Sequence, residues 1–269
     1  MQFLIIILYI LILTLLGFVF GFGLSFFSSI FVVEEDDSLK SKIYKILPQV
    51  NCGGCGYPGC LAYATAIEDK NENISLCAPG GEEVINDISI ITDRKNDGKT
   101  VKKVARVFCS GDDLSTKKDF ELDVADDCFT VYAIRNGDRL CKFACVARGN
   151  CVKICSVNAI TINSLSKVIV DENLCISCEK CTKVCPTNAI RMVPINGGYY
   201  VACSSYDKGT IVRKNCKKGC IGCEICVKFL KDENRLVIDN NLAVVKYNNK
   251  NDLSETATKC PVKAITPIV

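Results

Sequence analysis

The hydrophobic pattern begins with one long apolar run. No charged residue occurs from Phe3 to Val33, and a helix needs only about 20 apolar residues to cross a bilayer. The preceding Met1 and Gln2 bring no positive charge, and no small-residue cleavage site follows the run, which favours a retained anchor over a cleaved secretory signal. The pattern predicts a transmembrane helix over residues 1–33.

The charges that follow this run predict how the helix is oriented. Residues 34–37 are acidic, and Lys40, Lys42 and Lys45 come next. Orientation follows Lys and Arg residues, whereas Asp and Glu contribute little. We therefore expect a single span in the cytoplasmic (inner) membrane of a bacterium or archaeon, with the rest of the chain on the cytoplasmic side.

After a linker expected over residues 34–48, hydrophobic positions occur in short segments. Leu61 to Ile67 has the composition of a short helix, whereas Thr161 to Ile162 and Arg191 to Val193 favour short strands. One unit occurs three times, as CSVNAI from position 155, CPTNAI from position 185 and CPVKAI from position 260. Such self-similarity indicates duplicated small modules, and the mixture of elements predicts an α+β fold.

Composition changes this picture, because the chain has 20 Cys, no His and no Trp. So many Cys must be disulfides or metal ligands, and the reducing cytoplasmic side favours ligands. A net charge of +3 without a basic block gives no sign of nucleic-acid binding. The sequence has no imidazole base, no GxGxxG after a strand and no Walker loop, so NAD or nucleotide chemistry is expected elsewhere, and we expect no catalytic residue here.

The clearest Cys motif is Cys175-x2-Cys178-x2-Cys181-x3-Cys185, followed by Pro186. This is the spacing of bacterial ferredoxins, in which three Cys bind one [4Fe-4S] cluster and the fourth reaches a second cluster. Structural zinc normally uses two separated pairs of ligands, often with His, and fits the spacing poorly. The motif therefore predicts iron–sulfur binding.

A modified copy of the motif lies upstream. Arg148 occupies a position where the ferredoxin pattern has Cys, and Cys141 is the natural substitute. The predicted ligand sets are therefore Cys141, Cys145, Cys151 and Cys185 for one cluster, and Cys155, Cys175, Cys178 and Cys181 for the other.

A third pair of motifs has lost one cluster as a unit. In bacterial ferredoxins the fourth Cys of each motif binds the cluster of the other motif, and in this scheme all of the missing ligand positions belong to the same cluster. Those positions are Leu230, Lys250, Leu253 and Thr256. The ligands that remain are Cys220, Cys223, Cys226 and Cys260, and they are expected to hold one cluster.

A glycine-rich loop near the anchor, CGGCGYPGC from position 52, predicts a fourth cluster. Its glycines allow the tight turns that bring backbone amides close to cluster sulfurs. The expected ligands are Cys52, Cys55, Cys60 and Cys77. Four Cys remain, namely Cys109, Cys128, Cys203 and Cys216. They either form a fifth site or are buried thiols, and Cys216 is also an alternative to Cys223 as a ligand.

These motifs divide the chain into six predicted regions. They are an anchor (1–33), a linker (34–48), a four-Cys [4Fe-4S] domain (49–85), a β-rich intermediate region (86–135), a two-cluster ferredoxin domain (136–195) and a degenerate ferredoxin-like domain with one cluster (196–269).

The order of anchor, CGGCGYPGC loop, ferredoxin pair and the stretch DKGTIVRKNCKKGCIGC from Asp207 resembles the B subunit of the Rnf complex. The resemblance covers essentially the whole chain. That complex is a membrane-bound ferredoxin:NAD⁺ oxidoreductase that couples electron transfer to Na⁺ or H⁺ translocation. The resemblance implies a subunit that takes electrons from reduced soluble ferredoxin and passes them towards flavin-bearing and membrane subunits. The lost cluster and Ser156, which replaces the usual Pro, depart from the pattern.

Two other functions use the same features. A membrane-anchored polyferredoxin of a hydrogenase or another reductase would also need several clusters, whereas an iron–sulfur sensor or assembly protein would need only one. Lys214, Lys217 and Lys218 either steer an acidic ferredoxin to its docking site or form an ordinary solvated surface. Electron relay remains the leading hypothesis.

Overall fold

The structure is a computed structural model that describes residues 2–30, 37–95, 101–120, 122, 127–230, 235–247 and 252–268. It begins with helix α1 (Gln2–Ile30), in which Ile5–Phe27 is long and apolar enough to cross a membrane and is not buried against the rest of the chain. The Thr14 hydroxyl donates to the Ile10 carbonyl at 3.0 Å, so this polar group is satisfied within the helix. Residues 31–36, which include the end of the predicted span and the first three acidic residues after it, lie outside the described residues.

Three helices form a small domain after the anchor: α2 (Leu39–Ile46), α3 (Cys60–Lys70) and α4 (Gly81–Thr92). Their shared core contains Ile43, Ile67 and Ile88, all fully buried. The Ser38 side chain caps α2 by accepting a hydrogen bond from the Ser41 amide. Two expected boundaries were therefore wrong, because α2 lies inside the supposed linker and α4 continues past residue 85.

The first module has the order strand, helix, strand, strand, helix, strand. Its elements are β1 (Lys103–Val107), α6 (Asn150–Ile154), β2 (Ile160–Ile162), β3 (Val168–Val170), α7 (Lys180–Lys183) and β4 (Ile190–Pro194). β1 pairs antiparallel with β4, and β2 with β3. Helix α5 (Cys128–Ala133) is inserted between β1 and α6.

The expectation of a β-rich region over residues 86–135 was wrong. Among its described residues the one strand is β1, and the remainder includes the end of α4 and all of α5. β1 belongs to the first module because it supplies the partner strand of β4, with Val104 opposite Val193 in the module core. An isolated β4 would leave one row of backbone groups unpaired.

The second module repeats this order. It contains β5 (Tyr199–Val201), α9 (Ile225–Leu230), β6 (Leu236–Asp239), β7 (Leu242–Val245), α10 (Ser254–Lys259) and β8 (Ile265–Pro267), with α8 (Gly209–Asn215) inserted after β5. β5 pairs with β8, and β6 with β7, both antiparallel.

Three of the four positions at which the motif pattern of the second module lacks Cys are occupied by side chains that are buried or pack against its core. Leu253 is 1% exposed and Thr256 is 2% exposed, and Leu230 packs against the same core. Lys250, the remaining lost position, lies outside the described residues. Burial of these side chains stabilises this part of the module.

Segment 108–110 joins the two modules. The Phe108 amide donates to the Ala189 carbonyl of the first module, at 2.6 Å, and the Ser110 amide donates to the Ala202 carbonyl of the second, at 2.9 Å. The Phe108 ring also meets the Tyr200 ring edge to face, with centroids 5.3 Å apart. The two modules therefore share a continuous interface.

Candidate metal centres

All 20 Cys lie in the described part of the chain, and none forms a disulfide. Four cavities are each lined by four Cys, and their empty volumes are similar, at about 440, 380, 360 and 350 Å³. A fifth group of four lies in the helical domain. We number the groups along the molecule: set 1 is Cys52, Cys55, Cys60 and Cys77; set 2 is Cys155, Cys175, Cys178 and Cys181; set 3 is Cys128, Cys145, Cys151 and Cys185; set 4 is Cys109, Cys141, Cys203 and Cys216; set 5 is Cys220, Cys223, Cys226 and Cys260.

Set 1 is built by the glycine-rich loop and the start of α3. Gly53 and Gly56 have φ values of +70° and +90°, which Gly adopts without steric cost. The Asn51 side chain accepts a hydrogen bond from the Cys60 amide at 2.9 Å and fixes the loop against the helix start. Burial raises the pKa of Cys77 to about 11, and the nearby thiols of the other three Cys act in the same direction.

Sets 2 and 5 each contain one Cys from the repeated unit, and both hold that Cys in the same way. The repeated Cys-x-x-x-Ala unit turns back on itself, so that the Ala159 amide donates to the Cys155 sulfur at 3.3 Å and the Ala264 amide donates to the Cys260 sulfur at 3.4 Å. The turn residue has positive φ in all three copies, at Asn158, Asn188 and Lys263. Amide hydrogen bonds to sulfur stabilise thiolate ligands and tune cluster potentials.

Set 3 differs from the sequence-based expectation, because Cys128 and not Cys141 completes it. The Asn150 side chain accepts a hydrogen bond from the Cys128 amide at 2.9 Å and donates to Asp127 at 2.8 Å. Asp127 also caps α5 by accepting from the Thr130 amide at 2.7 Å. Since Asn150 immediately precedes Cys151, this network holds Cys128 beside the ligand loop.

The hydrogen bonds of Asp127 also change the pKa of its carboxyl group. Hydrogen bonds from Asn150 and Thr130 lower the pKa of Asp127 to about 2. The carboxylate is therefore ionised at neutral pH and serves as a fixed acceptor.

Set 4 brings together the remaining Cys from both modules and from both inserted segments. Cys109 follows β1, Cys203 follows β5, and Cys216 follows α8. Cys141, which the sequence reasoning had assigned to set 3, lies in this group. Burial raises the pKa of Cys141 to about 11, and Cys109 and Cys216 act in the same direction. Thr116 Oγ1 lies 3.7 Å from the Cys216 sulfur.

In the described residues, the Cys sets are not arranged as closed sites for one metal ion. A single zinc ion, with Zn–S bonds of about 2.3 Å, would bring its sulfurs to within about 3.8 Å of each other. Among the described residues, no three Cys, Asp or Glu side chains converge closely enough to hold one ion. Burial also raises the pKa of Cys181 and Cys203 to about 12 and that of Cys226 to about 11, with neighbouring thiols adding to the shift. Buried thiols that disfavour each other's ionisation are stabilised as thiolates by a bound metal centre.

Neighbouring sets lie close to one another in the order 1 to 5. A Cβ atom on Gly54 in the set 1 loop would lie 3.3 Å from the Cys178 carbonyl oxygen of set 2. Cys151 of set 3 contributes to the pKa of Cys181 in set 2, and Cys109 of set 4 contributes to the pKa of Cys145 in set 3. Cys220 of set 5 likewise raises the pKa of Cys203 in set 4.

Comparison with known proteins supports iron–sulfur binding by this chain. A family model described as an Fe-S cluster matches residues 47–79, and a model described as a 4Fe-4S binding domain matches residues 168–191. The chain is 34% identical, over 96% of its length and 91% of the relative, to the B subunit of the proton-translocating ferredoxin:NAD(+) oxidoreductase complex of Clostridium ljungdahlii. The chain belongs to the family of Rnf complex B subunits.

Two further members of this family have similar coverage. The B subunit of the Na(+)-translocating ferredoxin:NAD(+) oxidoreductase complex of Acetobacterium woodii is 33% identical over 95% of this chain and 76% of its own length. The B subunit of the ion-translocating oxidoreductase complex of Methanosarcina acetivorans is 31% identical over 93% of this chain and 94% of its own length. Membership in the Rnf family therefore rests on more than nine-tenths of the chain and not on one motif.

Proposed function

We propose that this chain is the electron-transfer subunit of an ion-translocating ferredoxin:NAD⁺ oxidoreductase, and that its five Cys sets hold five [4Fe-4S] clusters. The observation that carries the proposal is the unbroken row of four-Cys sets in a chain of the Rnf family. A [4Fe-4S] cluster supplies a one-electron redox centre when it is bound. The chain itself supplies thiolates, amide donors to sulfur, and apolar walls that exclude water.

The architecture supports a pair of ferredoxin-like modules. Each module has two antiparallel strand pairs and two short helices, and a Cys lies within or directly after each of these helices. We propose domain limits of about 37–95 for the set 1 domain, 101–195 for the first module and 196–268 for the second. The second module is the degenerate copy, in which Leu253 and its neighbours fill one site.

The membrane arrangement also supports the proposal. Helix α1 is uncharged throughout the stretch that could span a bilayer, and Lys40, Lys42 and Lys45 follow within the first described residues after it. We propose that the five sets lie on the cytoplasmic side, where soluble ferredoxin is the electron donor and membrane and flavin-bearing subunits are the acceptors.

Reductive titration of the anaerobically purified full chain tests this function. We expect the chain to accept about five electrons, one for each set, and to be reduced directly by reduced ferredoxin. A chain that binds iron but accepts no electrons from ferredoxin would instead support a structural or sensing role.

A further inference from the structure

A solvent-open cleft of about 670 Å³ separates the two modules, distinct from the four Cys cavities. One wall comes from β3 and the segment after β1, and the other from the segment after α8 and the turn before β8. Its surface includes Ile169, which is 47% exposed, together with Pro261 and the Tyr200 ring. The cleft therefore combines an apolar floor with access from solvent.

Five basic side chains line the cleft, and no acidic side chain does: the five are Arg106, Lys167, Lys217, Lys218 and Lys263. Two are neutralised, since Arg106 pairs with Glu172 and Lys218 pairs with Asp112 at 2.7 Å. The other three make no ion pair with any acidic residue in the described ranges, and Lys217 and Lys263 are exposed. The cleft consequently has a net positive rim.

The cleft also lies against the walls of three Cys sets. Cys109 lines both the cleft and the set 4 cavity. Val168 is shared with the set 3 cavity, and Pro261 is shared with the set 5 cavity. A molecule seated in the cleft would therefore be separated from these cavities by a single layer of residues.

We propose that this cleft is the docking site of an acidic one-electron carrier protein, which reduces the chain beside Cys109 in set 4. This inference rests on the proposed electron-transfer function and gives the position at which electrons enter the chain. One electron leaves the reduced carrier and reduces the centre held by set 4, and no bond forms or breaks. Electrons then enter near the middle of the row.

Charge and surface character favour a protein partner. The three unpaired lysines come from both modules, so their charges are spread around the cleft, while an apolar floor lies between them. This arrangement of apolar centre and charged rim is typical of protein interfaces. Complementary charge raises association rates by 10-fold to 1,000-fold or so at low salt, as a transient electron donor requires.

The test uses the full cluster-loaded chain and a reduced acidic ferredoxin. We compare K167E/K217E/K263E with K70E/K102E/K183E, which makes the same change in net charge at three lysines that do not line the cleft. We expect the second-order rate of reduction at low salt to fall at least about tenfold for the cleft variant, and to fall much less for the control. Reduction by methyl viologen radical cation, a small reductant without negative charge, should not slow in either variant.

A binding readout makes the test independent of electron transfer. Zero-length carbodiimide cross-linking to oxidised ferredoxin should join Lys217 or Lys263 to carboxylates of the carrier, and high salt should abolish these products. Cross-links confined to other lysines, or equal rates for the two triple variants, would overturn the docking site. If the cleft variant were reduced more slowly by dithionite, a small anion, to the same extent as by ferredoxin, the docking site would also be overturned. The cleft would then only attract small anions.

Two further results separate the possible failures. If the cleft variant lost iron, K167Q/K217Q/K263Q would replace it. We expect ferredoxin to reduce this variant more slowly than the wild-type chain, by a smaller factor. An unchanged rate of reduction would contradict the docking site. A wild-type chain that ferredoxin cannot reduce would refute the proposed function itself, whereas a reducible wild-type chain with an unaffected cleft variant would refute only this inference.

Discussion

At the residue scale, Cys128 and Cys141 show how side-chain networks decide which ligands meet. Both lie upstream of the set 3 loop, and the nearer one in sequence is Cys141. Asn150 holds the Cys128 backbone beside Cys151, while Cys141 lines a different cavity with Cys109. Sequence distance was therefore a poor guide to ligand grouping here.

Arg148 explains why spacing alone could not identify the fourth ligand of set 3. It occupies the position where the ferredoxin pattern has Cys, and it pairs with Asp138 at 3.0 Å while donating to the Leu122 carbonyl at 3.3 Å. These contacts tie down residues on both sides of α5, the helix that carries Cys128. The one local signal in the sequence for this ligand is Asp127, a helix-capping residue directly before Cys128.

Double Cys variants test the grouping. C109A/C141A removes two ligands from set 4, so we expect the purified chain to lose about four iron atoms. C141A/C145A damages sets 4 and 3 together and should lose about eight. Iron and acid-labile sulfide analysis measures both. A loss of about eight iron atoms from C109A/C141A and about four from C141A/C145A would instead support the sequence-based assignment of Cys141.

The ion pair of Asp112 with Lys218 predicts a second residue-scale effect. Hydrogen bonds from Lys218 and Ser115 hold the pKa of Asp112 well below its usual range. The Asp112 carboxylate is buried and accepts from Lys218 Nζ at 2.7 Å. Asp112→Asn should therefore lower the free energy of unfolding by about 1–3 kcal/mol at pH 7.

The pH dependence of that loss follows from the sign of the shift. The folded-state pKa lies below the unfolded value of about 3.9, so the stabilisation is complete above that value and disappears as the pH falls through the folded-state pKa. Anaerobic urea unfolding should show an effect that is constant from pH 8 to 5. Asp69→Asn, at an exposed position on α3, is the control, and an Asp112 effect that grew towards pH 5 would contradict the ion pair.

At the element scale, the repeated Cys-x-x-x-Ala unit explains why the duplicated modules could be predicted. The unit specifies a turn with positive φ, an amide donor and a following strand, and β2, β4 and β8 all begin at the Ile that follows it, which for β2 and β4 is one residue before the predicted start. The first strand of each module lacks such a local signal. β1 pairs with β4 across a long stretch of chain, which short-range patterns do not encode.

The filled site in the second module predicts an element-scale packing effect. Leu253 is 1% exposed in the core beside α10. Leu253→Ala should lower the free energy of unfolding of the cluster-loaded chain by about 2–5 kcal/mol because it leaves a cavity. Leu114→Ala, at a position 71% exposed, should have little effect. Anaerobic denaturant titration compares them, and equal effects would contradict a packed replacement of the lost site.

The helical domain predicts a selective loss of iron. Ile43 on α2 is fully buried against α3 and α4, so Ile43→Ala should destabilise this small domain by about 2–5 kcal/mol. We expect set 1 to lose its iron, about four atoms, while the other sets keep theirs. Ile90→Ala, at a position 77% exposed on α4, is the matched control. Loss of iron from all sets would show that the domain does not fold independently.

At the scale of the whole molecule, the sets form one row that begins near the anchor and ends in the second module. The sequence predicted sixteen of the 20 Cys as ligands and left four as an open alternative, because set 4 draws its members from four separate segments. No short sequence motif can indicate a site that is built from separate segments. Only the packing of segment 108–110 between the modules brings Cys109 towards Cys203 and Cys216.

The central claim is that all 20 Cys act as five complete ligand sets. Iron and acid-labile sulfide analysis of the anaerobically purified full chain tests it most directly. We predict about twenty iron atoms and about twenty sulfides for each chain, at four of each for every set. A value of about sixteen would contradict set 4 as a metal centre, and zinc without sulfide would contradict iron–sulfur binding altogether.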